Sequence, residues 1–265
     1  MAKLLKIETM IGCNAHCSFC PLGAGILKRE RGRMDSEFFF KIVDQARFLG
    51  YEIELGGMIE PLMEPRCFKF LDYIKSTGGR QIIFTNANLM TEKVAEKLCQ
   101  YQYLPDKFTI SFHGGNKEIY EKMMGLNFER TVLNVKYLLS LNPRPDILIS
   151  MKTVEENKNS VDDFRRLWKG YEVRLKISPA INLGGLLYKG AGISKCVLLP
   201  LIINVYWDGR MSLCCVDAEG TVIIGDLKKQ SLKEVLGGKI LKEYLDFNEK
   251  SKLNQLYPCN ICDVQ

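Results

Sequence analysis

With 265 residues, of which 46% are hydrophobic and 26% charged, the chain has ordinary globular usage, which argues against disorder. No apolar run approaches the length of a membrane-spanning helix, and residues 1–10 carry no long apolar core of a signal peptide, so neither a membrane partner nor secretion is expected. The 37 basic and 31 acidic residues are interspersed; the formal charge of +6 therefore comes without a basic arm for nucleic acid, and the expected location is cytoplasmic.

In chain order, residues 3–10 predict a strand leading into a cysteine loop. Residues 35–50 predict a helix: Phe38, Phe39, Ile42, Val43, Ala46 and Leu49 recur on one face, and Gly50 ends it. A short strand over 52–55 runs into Gly56-Gly57, and a helix over 66–76 is closed by Gly78-Gly79. A strand follows at 81–85 and a helix at 91–99, with Thr91 as its cap. Residues 107–112 form the next strand, and the helix over 128–141 is stopped by Pro143 and Pro145. Strand 146–153, helix 161–168 and strand 173–178 complete the series.

Six strands with helical crossovers call for a parallel sheet, but they fall short of the eight that close a full barrel. The pattern alone leaves a partial barrel and a doubly wound sheet open. In either, ligands bind at the carboxyl ends of the strands. The glycines at 184, 185, 190 and 192 then mark a hinge or loop. Residues 202–207 and 210–214 predict a hairpin turned at Asp208-Gly209, and 231–248 a helix interrupted by Gly237-Gly238.

The ten cysteines are the anomaly. A reducing cytosol disfavours disulfides, so metal or redox chemistry is the better reading. Cys13, Cys17 and Cys20 form C-x3-C-x2-C, and Cys196, Cys214, Cys215, Cys259 and Cys262 lie in the last quarter. Three close thiolates with no obvious fourth suit a cubane iron–sulfur cluster that keeps one iron open. A four-thiolate zinc site at Cys196, Cys214, Cys259 and Cys262 stays possible, because spacing does not separate zinc from iron–sulfur. A small segment of this kind is commonly stapled by metal.

The N-terminal loop, with Phe19 before the third cysteine, resembles the signature of the radical S-adenosylmethionine (SAM) superfamily. Later motifs agree in order. Gly56-Gly57 followed by Glu60-Pro61-Leu62 is similar to the family's Gly-Glu-Pro-Leu strand end, with Ile59 where glycine is usual. Thr85-Asn86 resembles its Thr-Asn-Gly, with Ala87 in place of glycine. Ser111-Phe112-His113-Gly114, then Glu118-Ile119-Tyr120 and Gly125, resembles the fourth strand and helix of the SPASM/twitch branch, with Met124 where many relatives carry arginine. The tail resembles a twitch domain, a shortened SPASM domain. In size and cysteine layout the chain is similar to the twitch-type aminocyclitol dehydrogenases of antibiotic biosynthesis.

This resemblance implies a partial (β/α)6 barrel over residues 1–185 and an auxiliary iron–sulfur domain over 186–265. It implies SAM and two [4Fe-4S] clusters, the first held by Cys13, Cys17 and Cys20 and the second by Cys196, Cys214, Cys259 and Cys262. Reductive cleavage of SAM would yield a 5′-deoxyadenosyl radical that takes a hydrogen atom from a small-molecule substrate. The electron would come from an external one-electron donor such as flavodoxin or ferredoxin. Phe19 is expected to pack on adenine and Glu60 to accept from the SAM ammonium. Gly57, Thr85 and Asn86 belong to the same cofactor-binding edge, and Ser111 and Lys152 are expected to serve ribose or carboxylate. His113 faces that edge as an acid–base candidate, whereas His16 is read as structural.

The reaction type is left between two outcomes. A second cluster held by four thiolates would take an electron from a substrate radical and give dehydrogenation, the favoured outcome. A redox-neutral epimerase would instead need a thiol to return hydrogen, with Cys215 the first candidate and Cys67 and Cys99 behind it. Peptide maturation is a third reading. It is weakened by a chain that begins at its first strand, with no peptide-recognition domain ahead of it. A zinc-stabilised binding module is the non-enzyme alternative; it accounts for the C-terminal cysteines but not for the N-terminal three.

Overall fold

The computed structural model of the protein describes residues 3–199 and 201–264. Strand β1 (Lys3–Ile7) precedes the cysteine loop. Helix α1 (Ser36–Phe48) starts at Asp35, whose side chain accepts from Phe38 N and satisfies one of the orphan N–H groups of the first turn. Strand β2 (Tyr51–Leu55), helix α2 (Cys67–Ser76) and strand β3 (Gln81–Thr85) follow. Helix α3 (Glu92–Leu98) is capped by Thr91. After β4 (Lys107–Ser111) come α4 (Lys117–Met124), capped by Asn116, and α5 (Phe128–Ser140), capped by Asn127. Strand β5 (Ile147–Thr153), helix α6 (Val161–Leu167) and strand β6 (Arg174–Pro179) close the alternating series. The C-terminal segment carries β7 (Ile202–Val205), β8 (Arg210–Ser212), β9 (Ile223–Asp226), α7 (Leu232–Leu236) and α8 (Lys239–Glu249). The mixed α/β class with parallel strands and helical crossovers is the one the alternation predicts.

The chain divides into two compact units. One comprises Met1–Ile11, Ile26–Ile59 and Ile181–Gln265. Within it β1 pairs in parallel with both β2 and β7, and β8 and β9 continue antiparallel from β7. The predicted hairpin is therefore present, and its first strand lies alongside β1. Its core side chains alternate along the strands: Leu5, Ile7, Ile53 and Leu55 are buried on the period-2 positions. Helix α7, opened by a capping box of Ser231 and Glu234, packs against α1, where Leu232 N donates to Gln45 Oε1 at 2.8 Å.

The other unit comprises Gly12–Gly25 and Glu60–Ala180. Its strands run in the order β6–β5–β4–β3, all parallel where their register is defined. Phe112 anchors its core, with ring centroids of Tyr120 at 4.3 Å, Trp168 at 5.3 Å and Phe128 at 5.9 Å. Helix α4 is an element the periodicity did not single out, because it is only two turns long. It ends at Gly125 with φ 65°, the left-handed cap that glycine adopts without a Cβ penalty. Strand β9 is likewise too short to carry a pattern of its own.

Candidate cluster and cofactor sites

In the second unit the loop Gly12–Gly25 brings Cys13, Cys17 and Cys20 together by local hydrogen bonds. Ala15 N donates to Cys13 Sγ at 3.3 Å, Cys20 N to Cys17 O at 3.0 Å, and Ala24 N to Cys20 O at 2.7 Å. Gly23 lies so close to the backbone of Cys17 that a Cβ there would stand 2.5 Å from Cys17 N. Burial pushes the Cys13 thiol up to about 11 and, with the like charges of Cys20 and Cys13, the Cys17 thiol up to about 12. Thiols held this way ionise readily only when a strong positive charge such as iron is present.

Glu60 and the end of β3 frame the same loop. Glu60 N donates to Gly12 O at 2.8 Å. The Glu60 carboxylate accepts from Thr85 Oγ1 at 2.5 Å, Asn86 N at 2.8 Å and Leu62 N at 3.2 Å. It is buried, and burial outweighs these bonds to hold its carboxyl up at about 6. Asn86 then donates through Nδ2 to Asn14 Oδ1 at 2.8 Å, with Cys13 Sγ 3.8 Å away. Asn88 and Asn134 extend the network: Asn88 N donates to Asn86 Oδ1 at 3.0 Å, and Asn134 Nδ2 to Ala87 O at 2.9 Å. Sequence reasoning named Asn86 but missed Asn14, Asn88 and Asn134; for Asn88 the density of asparagine over 86–88 was the available signal.

A second cluster of predicted residues lies in the same unit. The ring of Phe19 meets His113 edge-on at 4.9 Å. His113 Nδ1 accepts from Lys152 N at 3.1 Å, and its carbonyl accepts from Asn157 Nδ2 at 3.0 Å. Burial, then the Lys152 charge, lowers His113 to about 3, so its imidazole is neutral and occupied as an acceptor. That suits a positioning role better than proton transfer. Lys152 Nζ donates to Ser178 Oγ at 3.0 Å across β5 and β6. Ser111 ends β4 opposite Ser150. His16 N donates to Met124 O at 2.8 Å, an anchor for the cysteine loop.

In the first unit, Cys196, Cys214, Cys215, Cys259 and Cys262 line one apolar cavity of about 380 Å³, together with Leu198, Val216 and Val264. Three sequence segments meet there. The glycine-rich segment read as a hinge or loop is a loop strapped along the terminal C-x2-C: Gly190 N donates to Ile261 O at 2.9 Å and Gly192 N to Cys262 O at 3.1 Å. A Cβ on Gly190 would come within 2.8 Å of Ile261 O, which is why glycine is needed there. Asn248 on α8 brackets Cys196, accepting from its N–H at 2.7 Å and donating to its carbonyl at 2.9 Å. Burial pushes Cys259 up to about 12 and Cys214 well above its usual value. Among the described residues no three His, Cys, Asp or Glu side chains gather closely enough to hold a single metal ion. The fit to a cluster lies in the donor set, soft thiols around a dry space.

Cys215 also lines a second, polar cavity of about 460 Å³, with Lys6, Glu8, Arg29 and Asn204. Glu8 takes Arg29 in a fork, Nη1 at 2.7 Å and Nη2 at 2.9 Å, and accepts from Met58 N at 2.8 Å. Gly57, expected at the cofactor edge, has φ 114° and seats this carboxylate, since a Cβ would stand 2.8 Å from Glu8 Oε2. Arg29 lies 3.9 Å over the Tyr206 ring and donates through Nε to Ala218 O at 2.6 Å. Lys6 Nζ pairs with Glu54 at 3.2 Å. None of Lys6, Glu8, Arg29 and Asn204 was singled out from sequence; charged residues alternating with Ile7 and Ile53 were the signal.

Comparison with known proteins agrees with this picture. Residues 7–167 match the radical SAM superfamily model, and residues 196–263 match SPASM, an iron–sulfur cluster-binding domain. The chain is 25% identical over 186 residues to a probable dual-specificity RNA methyltransferase RlmN of Acholeplasma laidlawii, covering 65% of this chain and 54% of that protein. The chain thus spans about half the length of that curated relative. Two solved structures share the fold. BtrN in complex with AdoMet and 2-DOIA gives a TM-score of 0.72 at 18% identity, covering 100% of this chain and 94% of that one. Streptococcus suis SuiB bound to precursor peptide SuiA gives 0.74 at 14% identity, covering 92% and 66%. Among the described residues no helix is long and apolar enough to cross a membrane. The matched models cover the cysteine loop, the strand ends and the C-terminal cysteines, and the chain belongs to the radical SAM superfamily, in the SPASM/twitch branch whose domains bind SAM and [4Fe-4S] clusters.

Proposed function

We propose that the protein is a radical SAM dehydrogenase that oxidises a carbinol carbon of a small polar substrate of sugar or aminocyclitol type. The observation that carries this reading is the single apolar cavity lined by five cysteines from three segments. Four thiolates saturate a cluster, leaving it no open iron for substrate and making electron uptake its natural role. When bound, the cofactors supply a radical able to take a hydrogen atom, formed with one electron from an external reductant such as flavodoxin or ferredoxin, and a site for the electron the substrate then gives up.

The chain's own residues bind and orient. Cys13, Cys17 and Cys20 hold the first cluster, and Glu60, Thr85 and Asn86 shape the edge where SAM is held. Phe19, Ser111 and Lys152 serve the same cofactor, with His113 fixing Phe19 and the β5 end. Cys196, Cys214, Cys259 and Cys262 hold the second cluster. Residues 1–185 form the core and 186–265 the auxiliary domain. The substrate loses a hydrogen atom, a proton and an electron, so its carbinol becomes a ketone.

A second reading rests on Cys215, which lines the polar cavity as well as the apolar one. A thiol so placed could return a hydrogen atom in a redox-neutral epimerisation. Product mass in ordinary and heavy water separates the two. Dehydrogenation lowers the mass by two units in ordinary water. Unchanged mass, with one solvent deuterium gained in heavy water, overturns the dehydrogenase reading in favour of the epimerase.

A further inference from the structure

The polar cavity is built but incomplete. Its charges come as two compensated pairs, Glu8 with Arg29 and Lys6 with Glu54. Arg29 is committed on every side: the fork to Glu8, the bond to Ala218 O and the face of Tyr206. Its side chain is 4% exposed and that of Glu8 is 2%, whereas Lys6 keeps 20%, so Lys6 is the cation within reach of a ligand. An ammonium has three hydrogens, and the Glu54 pair accounts for one of them.

Asn204 supplies the complementary group. Its Nδ2 donates to Cys214 O at 3.0 Å, which fixes the orientation of the amide. Its Oδ1 is buried and has no hydrogen-bond partner among the described residues. A buried acceptor left unpaired is costly, so a site that keeps one is shaped for a donor from outside.

We infer that this cavity binds a neutral, hydroxyl-bearing small molecule, with one hydroxyl donating to Asn204 Oδ1 and an oxygen accepting from Lys6 Nζ. A hydroxyl is the group that does both. The paired charges give no net attraction for a phosphate or carboxylate, which would need cations not already spent on carboxylates. The wall carries both charged side chains and the apolar Leu183, Val205 and Tyr206, a mixture that suits a compact ring bearing hydroxyls. Cys215 forms wall in both cavities, so such a ligand sits one side chain from the space lined by the C-terminal cysteines. Its identity as the substrate rests on the proposed function; the binding does not.

The test uses the full chain with both clusters assembled under anaerobic conditions, and myo-inositol as probe. Saturation-transfer NMR should show myo-inositol bound, and myo-inositol 1-phosphate should bind more weakly. Asn204→Leu removes the acceptor and should weaken binding by about tenfold. Asn204→Ser keeps a hydroxyl acceptor and should retain part of the affinity. Because Asn204 also holds the Cys214 carbonyl, Ala218→Met is the second variant: it fills the cavity from a wall position and should abolish the signal with iron content unchanged. No transfer to the iron-replete wild type overturns the assignment. So does binding equal in wild type and Ala218→Met, or tighter binding of the phosphate. A product mass without oxidation would remove the dehydrogenase reading alone and leave this binding result standing.

Discussion

The N-terminal cysteine loop and the C-terminal cysteine cavity hold thiols by opposite means. In the loop, three cysteines lie within eight positions, and the chain's own turns and a set of neutral asparagines fix them. In the cavity, five cysteines come from segments nearly seventy residues apart and meet only because a strap, a hairpin and a terminal turn fold together. The loop is local and polar, the cavity non-local and dry. A local site can be emptied without unfolding its unit. A non-local one is tied to the packing around it.

The sharpest way to break that contrast is to remove the ligands of each in turn. Changing Cys13, Cys17 and Cys20 together to alanine should abolish SAM cleavage and remove about half the iron while the protein stays folded. Changing Cys196, Cys214, Cys259 and Cys262 should leave SAM cleavage in place, lose oxidised product and lower the unfolding midpoint. Iron analysis, 5′-deoxyadenosine counting, product mass and circular dichroism read all four. Cleavage that persists without the first trio would overturn their role.

Next in size is the buried fork. Glu8→Gln leaves Arg29 uncompensated and should cost about 3–5 kcal/mol in a urea titration. Breaking an exposed, solvent-screened pair such as Lys117–Glu129 should cost far less. Equal losses would mean that burial is not what gives the Glu8 pair its weight.

Glu60 and His113, in the other unit, should respond to acid with opposite signs. Glu60 is held up at about 6 against a usual 4.5, so the folded state takes its proton first. Its contribution to stability is fully present below pH 4.5 and is lost as pH rises through 6. Against a non-titrating Glu60→Gln variant, the wild type should therefore gain about 2 kcal/mol between pH 7 and pH 4.5. His113 is lowered to about 3 from 6.5, so its contribution is present above pH 6.5 and falls away as pH drops toward 3. His113→Phe removes that slope and orphans Lys152 N–H, costing about 1–3 kcal/mol at pH 7. Urea midpoints across pH 4.5–7 check both, and parallel slopes for the two variants would contradict the assignment.

The smallest effect concerns Ala87, which is buried with φ 58°. Ala87→Gly should stabilise by about 1 kcal/mol by relieving the left-handed conformation, visible as a rise in melting temperature.

How much of this was legible depends on range. The cysteine trio, the alternation of strands with helices and the hairpin could be read because each is set by spacing of a few residues. Ala87 was legible as a departure from a glycine, and the structure gives the reason in its positive φ. The role of Gly57 was read as cofactor contact, yet its neighbour is Glu8, fifty positions earlier, which no local pattern reports. The glycines at 190 and 192 read as a hinge or loop because glycine signals freedom in sequence; in this loop they also permit close approach to Ile261 and Cys262. The fork of Glu8 and Arg29 lay hidden because an isolated glutamate at a strand end looks like a solvated one.

Strands β1 and β2 have one further consequence, for how this protein could change over time. Odd positions 5, 7, 53 and 55 belong to the core, while even positions 6, 8, 52 and 54 carry Lys and Glu on the opposite side. One ribbon thus encodes two separable traits, foldedness at one parity and ligand preference at the other. Divergence in what the cavity accepts can proceed by exchanging charge pairs at 6 with 54, or at 8 with 29, without a single core replacement. A library that exchanges these charge pairs as units, keeping each buried charge compensated, should therefore retain more folded members than one confined to the odd parity.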